Sequence, residues 1–206
     1  MLQVKAVDPN VLTLLKSLMK TQGLSGLRLV GGTALALQIG HRKSIDLVLF
    51  GKLELDEYEL ITLLRETGNV SQLNITPNIK SYLINDIKVD IVNYPYEWIS
   101  PCVKEDEFRL AGMDDIAAMK LAAITGRGTR KDFIDIFFLL NIYKLNEMIH
   151  MYKQKYPEGS EFLALRSLGY FKDAEQEPMP VMIETLDWEL VKKKLLREVQ
   201  SYSSTL

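Results

Sequence analysis

The sequence predicts a two-lobed α/β protein, in which a small mixed sheet with flanking helices precedes a helical C-terminal lobe. Two observations predict the sheet. An alternating strand contains Asp46, and residues 79–92 form two β-branched runs around a two-residue turn. A third observation predicts the helical lobe, because apolar residues recur at helical spacing beyond the Pro- and Tyr-rich stretch that ends near residue 101. We place the lobes at residues 1–100 and 101–206.

The first helices are predicted from their start signals. Asp8 precedes a proline, the pattern of an N-cap followed by the first helical residue, and apolar residues continue at helical spacing to Met19. Asp56 is expected to cap a later helix that ends near Gly68. Both helices have an apolar stripe that would pack on the sheet.

A tight turn, Gly31-Gly32-Thr33, follows a short apolar run at residues 27–30. Glycine allows the backbone to turn, and Thr33 is expected to N-cap a helix that begins at Ala34. Backbone N–H groups at a helix start bind phosphate. The turn is therefore a candidate phosphate site, although Gly-Gly pairs before helices are also common where nothing binds.

Strand alternation predicts which residues share a face. A basic loop leads into a strand over residues 45–50, and Asn85-Asp86 is favourable for an antiparallel hairpin. One face of these strands is predicted to be apolar: Ile45, Leu47, Leu49, Ile87, Val89 and Ile91. Asp46 lies on the face of its strand opposite the apolar one, together with Val48. Asp90 likewise lies on the non-apolar face of its strand, together with Lys88.

The C-terminal half is predicted to contain four helices. They cover residues 114–124, 131–143, 146–156 and 188–202, and Asp187 is expected to cap the last. The segment 170–183 contains two prolines and is predicted to be a loop or arm.

Composition excludes several classes of protein. The 206-residue chain has 47% hydrophobic residues and a formal net charge of −2, so any RNA contact needs a local patch such as residues 127–131, which also fit a solvated loop. Cys102 is the only cysteine, which excludes an intramolecular disulfide and a cysteine-rich zinc site. With no signal-peptide pattern and no apolar run of membrane-spanning length, we expect a cytoplasmic protein without membrane contact.

Asp46 and Asp90 are the strongest candidates for chemistry. Both are carboxylates on predicted strands, and both lie opposite the apolar face. Converging carboxylates would bind a hard cation such as Mg²⁺. The simpler alternative is that each is an edge or surface residue.

Lys120 is the second candidate, because it leaves from an apolar helical face. It is either a phosphate ligand or a lysine that snorkels to solvent. Arg127 and Arg130 follow and could fork onto phosphate oxygens. Asp132 and Asp135 lie near a helix start, where they either favour the helix dipole or orient the basic residues.

Two segments resemble the abortive-infection (AbiEii-like) nucleotidyltransferases, a branch of the DNA polymerase β-type superfamily. The first is GGTALALQIGHRKSIDLVLF, and the second is DIAAMK followed by RGTRKDFID. The resemblance continues into GYFKDAE and the Trp188 region, so it covers most of the chain. It implies a polymerase β-type lobe that transfers a nucleotide from a nucleoside triphosphate to an acceptor, which in some relatives is a tRNA end.

The resemblance also implies roles for individual residues. Asp46 and Asp90 would be catalytic and would hold Mg²⁺ or Mn²⁺. Residues implied to bind the nucleotide are Gly31, Gly32, Thr33, Arg42, Ser44, Lys120, Arg127 and Arg130, with Asp132 and Asp135 in support. His41 also matches the family, but it lacks metal-ligand spacing and is expected to be structural or exposed. The implied partner is a separately encoded antitoxin of a toxin–antitoxin or phage-defence pair.

One position departs from the family pattern. The family strand reads Asp-x-Asp, and this chain has Val48 at the second position. Two carboxylates at this spacing lie roughly 6.5 to 7 Å apart along a strand and suit a pair of metal ions. Valine cannot ligate a metal, so impaired transfer is expected. Two alternatives are a catalytically inactive nucleotide-binding module and a protein-interaction scaffold of the same fold.

Overall fold

The computed structural model describes residues 1–204, which divide into two compact units. Unit 1 contains Met1–Tyr96 and Pro101–Ala111; unit 2 contains Glu97–Ser100 and the chain from Gly112 onward. The α/β fold class is confirmed. The division differs from the expected boundary after residue 100, because a short hairpin that follows this point belongs to the sheet of unit 1.

Unit 1 contains a mixed sheet and three α-helices. Within the described residues the sheet has seven strands in the order β3-β4-β5-β2-β1-β7-β6. The strands are β1 (Arg28–Leu29), β2 (Leu47–Gly51), β3 (Val70–Ile75), β4 (Ile79–Ile84), β5 (Ile87–Asn93), β6 (Val103–Glu105) and β7 (Phe108–Leu110). The helices are α1 (Pro9–Lys20), α2 (Gly31–Ile39) and α3 (Glu57–Arg65).

The centre of the sheet is the parallel pair β2 and β5, which positions the candidate carboxylates. Strand alternation holds here, since Leu47 and Leu49 of β2 and Val89 and Ile91 of β5 are at most 1% exposed. Ile45 was expected on the same buried face, but it precedes β2 and is 63% exposed. Regular strand geometry therefore begins two residues later than the alternation suggested.

The predicted start signals of α1 and α3 are confirmed. The Asp8 side chain accepts a hydrogen bond from the Asn10 N–H at 2.8 Å. Asp56 and Glu59 form a reciprocal capping box, with hydrogen bonds of 2.8 and 3.0 Å.

The predicted hairpin between β4 and β5 is also confirmed. Asn85 and Asp86 have φ angles of 48° and 63°, as a type I′ turn requires. The Asn85 side chain also accepts a hydrogen bond from the Asn69 N–H at 2.8 Å, which ties the turn to the start of β3.

Strands β6 and β7 were not predicted, because the sequence was expected to be helical after residue 101. β7 pairs in parallel with β1, with Leu29 opposite Leu110. Arg109 strengthens this edge of the sheet, since its guanidinium donates to the carbonyls of Leu27, Met19 and Leu24 at 2.7 to 3.1 Å.

Unit 2 is helical. It contains α4 (Met113–Gly126), α5 (Arg130–Leu139), α6 (Leu145–Lys155), α7 (Glu161–Leu168) and α8 (Trp188–Ser203). Helix α4 lies at the centre and contacts α5, α6 and α7. Asp187 caps α8 as predicted, whereas α7 was missed. None of the helices in residues 1–204 combines the length and hydropathy needed to span a membrane.

The short segment Glu97–Ser100 belongs to unit 2 because Asp115 binds it. The two carboxylate oxygens of Asp115 accept the N–H groups of Ile99 and Ser100 at 2.9 and 3.0 Å. Lys155 compensates the buried charge of Asp115 at 2.6 Å, and both side chains are fully buried.

Candidate functional site

The Gly31 turn of unit 1 has the backbone geometry of an anion-binding helix start. Gly31 has a φ of +68°, which favours glycine, and no atom lies within 4 Å of the position that a Cβ would take. The first N–H groups of α2 have no partner within the helix itself. An open approach to a helix N-terminus suits a phosphate group.

Thr33 does not cap α2, contrary to expectation. The helix already begins at Gly31, after Val30, so Thr33 lies inside its first turn. Its hydroxyl lies 2.8 Å from the Ser44 hydroxyl and donates to the Asp46 carbonyl. Thr33 therefore joins the turn to the start of the carboxylate strand.

Arg42 lies against the Gly31 turn. A Cβ on Gly32 would collide with Nη2 of Arg42, so glycine is needed for the two to approach. The Arg42 side chain is buried, and its Nη1 donates to the Lys43 carbonyl at 3.0 Å. A buried guanidinium beside a helix start adds positive charge where phosphate would lie. His41 beside it is also buried, as a structural residue would be.

Asp90 and Val48 share a face of the sheet because they are paired across β5 and β2. Asp46 lies one residue before β2, and its carbonyl accepts a hydrogen bond from the Thr33 hydroxyl, which joins it to the Gly31 turn. If the pairing of β2 with β5 is continued by one residue, Asp46 would lie opposite Lys88, and Asp46 and Asp90 would be diagonal neighbours. Such neighbours lie about 7–8 Å apart, within reach of a shared cation for extended side chains.

Asp90 carries the best indication that an ion fits this face. One oxygen, Oδ2, lies 3.1 Å from Nζ of Lys88, whereas Oδ1 is buried without a hydrogen-bond partner. A buried carboxylate oxygen is costly when unsatisfied, and a divalent cation would compensate it. No group of three or more His, Cys, Asp or Glu side chains in residues 1–204 could hold a metal. Two carboxylates suffice for one Mg²⁺, which keeps several waters and also binds substrate phosphates.

In unit 2, Lys120 forms a buried ion cluster with Asp132 and Asp135. Its Nζ lies 2.8 Å from Asp132 Oδ1 and 2.6 Å from Asp135 Oδ2, and the lysine is 5% exposed. Arg127 and Thr129 donate to the second oxygen of Asp132 at 3.2 and 2.6 Å. Lys120 is therefore not a snorkelling lysine, and the two acids orient it.

The same contacts change the acidity of Asp132. Burial alone raises the pKa of its carboxyl, but the Lys120 and Arg127 charges and the hydrogen bonds from Lys120 and Thr129 lower the pKa to about 2. The carboxylate is consequently ionised across the neutral range. The lysine and arginine charges of the cluster balance its two carboxylates, so the cluster has no excess positive charge.

Arg130 contacts the segment before α8 and the first residue of α8. Its Nε and Nη2 donate to the carbonyls of Ala174 and Glu175, both at 2.9 Å, and its guanidinium lies 4.9 Å from the Trp188 ring. These contacts hold the 3-10 turn Ala174–Gln176 and the start of α8. Phosphate binding by Arg130 stays a prediction.

Lys88 is the residue that the sequence analysis left without a role. Strand alternation predicted that Lys88 shares a face with Asp90. The ion pair between these two residues is seen only in the side-chain geometry of the structure. The available signal was the Lys-x-Asp spacing itself.

Comparisons with known proteins identify the family of the chain. Residues 13–205 match the family model "Nucleotidyl transferase AbiEii toxin, Type IV TA system". An uncharacterized protein of Aquifex aeolicus (strain VF5) is 31% identical over 182 residues, which cover 84% of this chain and 86% of the relative.

Solved structures show the same fold at low sequence identity. A candidate nucleotidyltransferase from H. pylori has a TM-score of 0.60 and 18% identity, with 97% of each chain covered. The nucleotidyltransferase toxin MenT4 of Mycobacterium tuberculosis H37Rv has a TM-score of 0.53 and 13% identity, with 91% of this chain and 80% of the toxin covered. Given the family match over nearly its whole length, this chain belongs to the AbiEii family of nucleotidyltransferase toxins of type IV toxin–antitoxin systems.

Proposed function

We propose that the chain transfers a nucleotidyl group from a nucleoside triphosphate to a hydroxyl acceptor such as a tRNA end. It would act in the cytoplasm as the toxin of a pair whose antitoxin is encoded separately. The observation that carries this proposal is the pairing of Val48 with Asp90 across β2 and β5, with Asp46 two residues before Val48 and its carbonyl bound by Thr33 of the Gly31 turn. Family membership supports the reaction class.

Different residues of unit 1 would bind the phosphates, position the turn and accept the proton in the proposed reaction. The N–H groups of the Gly31 turn and the Arg42 guanidinium would bind the β- and γ-phosphates. Thr33 and Ser44 would hold this turn against the strand, as their 2.8 Å contact suggests. Asp90 would accept the proton of the acceptor hydroxyl. The hydroxyl oxygen would bond to the α-phosphorus, and the bond between the α-phosphorus and the leaving pyrophosphate would break.

Asp46 and Asp90 are the residues that would hold Mg²⁺ or Mn²⁺. When bound, the ion would neutralise phosphate charge and stabilise the attacking and leaving oxygens. The buried, unpartnered Oδ1 of Asp90 fits this assignment.

Val48 is expected to impair transfer more than nucleotide binding. It is paired directly with Asp90, where the family pattern has a carboxylate. Loss of an interaction that acts mainly in the transition state commonly costs a few kcal/mol, or roughly 10² to 10³ in rate. We therefore expect weak transfer by the natural chain and a clear gain for Val48→Asp.

A matched transfer assay tests this expectation. Both proteins are incubated with labelled nucleoside triphosphates, one of the four at a time, and total tRNA, in Mg²⁺ and then in Mn²⁺. Asp46→Asn in each background is the control that should abolish transfer. Robust transfer by the natural chain, unchanged or reduced in Val48→Asp, would show that another group replaces the missing ligand and that our account of Val48 is wrong.

Val48 also favours a second candidate function, a nucleotide-binding module without turnover. The module predicts Mg²⁺-dependent triphosphate binding by calorimetry but no transfer by either protein. A scaffold of the same fold predicts no binding of any of the four triphosphates.

Roles for Lys120 and Arg127 as phosphate ligands stay predictions. Since the acids beside them balance their charge, a phosphate would have to compete with Asp132 and Asp135 for the ammonium group. Calorimetry of Lys120→Ala with the triphosphates measures that contribution.

A further inference from the structure

Lys88 lies beside Asp90 of the proposed metal site, although lysine is not a metal ligand. Its ammonium is 3.1 Å from Oδ2 of Asp90, and the side chain is 48% exposed. The pairing of β2 with β5 begins with Leu47 opposite Val89, and one further step along the two strands reaches Asp46 and Lys88. Asp46 and Lys88 also both line a cavity of 510 Å³ in unit 1, so the ammonium is accessible to solvent and solutes.

The four positions on this face have an unusual charge for a two-metal site. Asp46 and Asp90 are opposed by one ammonium, and Val48 is neutral, which leaves a net charge of −1. The Asp-x-Asp pattern with a third acid gives −3 when no lysine is present. Two divalent ions need the larger negative charge, whereas one ion and one ammonium suit the smaller.

We propose that the Lys88 ammonium replaces one of the two divalent ions of a two-metal site. Asp46 and Asp90 then bind a single divalent ion. This inference rests on the proposed metal site at these two carboxylates. It explains how Val48 is tolerated beside Asp90, because the cation that a second carboxylate would help to hold is attached to the chain.

An ordinary surface ion pair is the alternative for Lys88 and Asp90. Such pairs contribute at most about 1 kcal/mol to stability and have no effect on metal stoichiometry. A lysine that competes with a divalent ion for Asp90 should instead change both the affinity and the number of bound ions.

Mn²⁺ binding to the full chain distinguishes these cases without any activity measurement. Free Mn²⁺ is followed by electron paramagnetic resonance during titration of the natural protein, Lys88→Met and Lys88→Arg. We expect one Mn²⁺ per natural chain, roughly tenfold tighter binding for Lys88→Met, equivalent to about 1.4 kcal/mol, and natural affinity for Lys88→Arg. In Val48→Asp/Lys88→Met we expect two ions.

Lys52→Met is the matched control. Lys52 also pairs with a carboxylate two residues away, Glu54, at 3.2 Å, but it lies beyond the opposite end of β2 and is 83% exposed. Its substitution changes the net charge equally and should leave Mn²⁺ affinity unchanged. If Lys52→Met raises the Mn²⁺ affinity as much as Lys88→Met does, the effect comes from long-range charge alone, and the inference is overturned.

Asp90→Asn separates failure of this inference from failure of the site. If Asp90→Asn loses Mn²⁺ while Lys88→Met binds it like the natural protein, the metal site stands and the role of Lys88 is wrong. If Asp90→Asn binds Mn²⁺ like the natural protein, Asp90 is not a ligand, and both the inference and the proposed metal site are overturned.

Discussion

At the scale of single residues, the buried cluster around Lys120 makes the sharpest stability prediction. Replacing Lys120 with Met removes the charge that opposes two buried carboxylates. Loss of one partner of a buried ion pair commonly costs 3–5 kcal/mol, so we expect about that loss in the free energy of unfolding at pH 7. Denaturant titration measures it, and the exposed neighbouring substitution Lys131→Met is the control, with little expected change.

The pKa of Asp132 gives this prediction a pH dependence. In the natural protein the pKa is lowered from 3.8 to about 2, so the stabilisation, about 2 kcal/mol, is present above pH 3.8 and is lost as the pH falls towards 2. Without Lys120, the ammonium charge and the hydrogen bond that lower this pKa are lost, so the pKa rises and protonation relieves the buried charge at a higher pH. The stability difference between the proteins should therefore shrink as the pH falls through this range. A difference that is constant from pH 6 to 2 would contradict the assigned pKa shift.

Residue roles were predictable only where the interaction is local. The caps at Asp8, Asp56 and Asp187 were correct because each side chain binds a backbone N–H within three residues. Thr33 was assigned wrongly because Gly31 starts the helix two residues before it, and its hydroxyl finds partners that are distant in sequence. The ion pair of Lys88 depends on side-chain geometry that a residue pattern does not specify.

At the scale of secondary-structure elements, the β4–β5 hairpin offers a test of its turn. Asp86 has a φ of 63°, which L-residues adopt at a cost of about 1 kcal/mol and glycine adopts freely. We expect Asp86→Gly to raise the free energy of unfolding by up to about 1 kcal/mol, and Asp86→Val to lower it. Thermal and denaturant unfolding measure both. A destabilised Asp86→Gly protein would mean that the Asp86 side chain contributes more than the strain it causes.

Alternation and turn signals explain which strands the sequence revealed. β4 and β5 flank a favourable turn and were predicted, whereas β3 has six residues but is largely exposed, shows no alternation and was missed. β6 and β7 have three residues each, too few to show alternation, and β7 is stabilised by pairing with β1, about eighty residues away in sequence. Helix α7 was missed because it has only eight residues.

At the scale of the whole molecule, each unit is built from two separate stretches of the chain. This organisation predicts where the chain can be cut into stable fragments. A fragment of residues 1–100 lacks β6 and β7, which leaves one edge of β1 unpaired. Unpaired edges favour association between chains. We expect this fragment to be less stable than residues 1–111 and to self-associate. Thermal unfolding by circular dichroism and size-exclusion chromatography compare the two; equal stability would mean that β7 is dispensable to the sheet.

The pairing of Val48 with Asp90 also has a genetic consequence. Every valine codon becomes an aspartate or a glutamate codon through one change of its second base. The Val48 side chain is half-buried, so a carboxylate in its place would not lie in the apolar core. A carboxylate beside Asp90 is therefore a single point mutation away, and the change leaves the pairing of β2 with β5 in place.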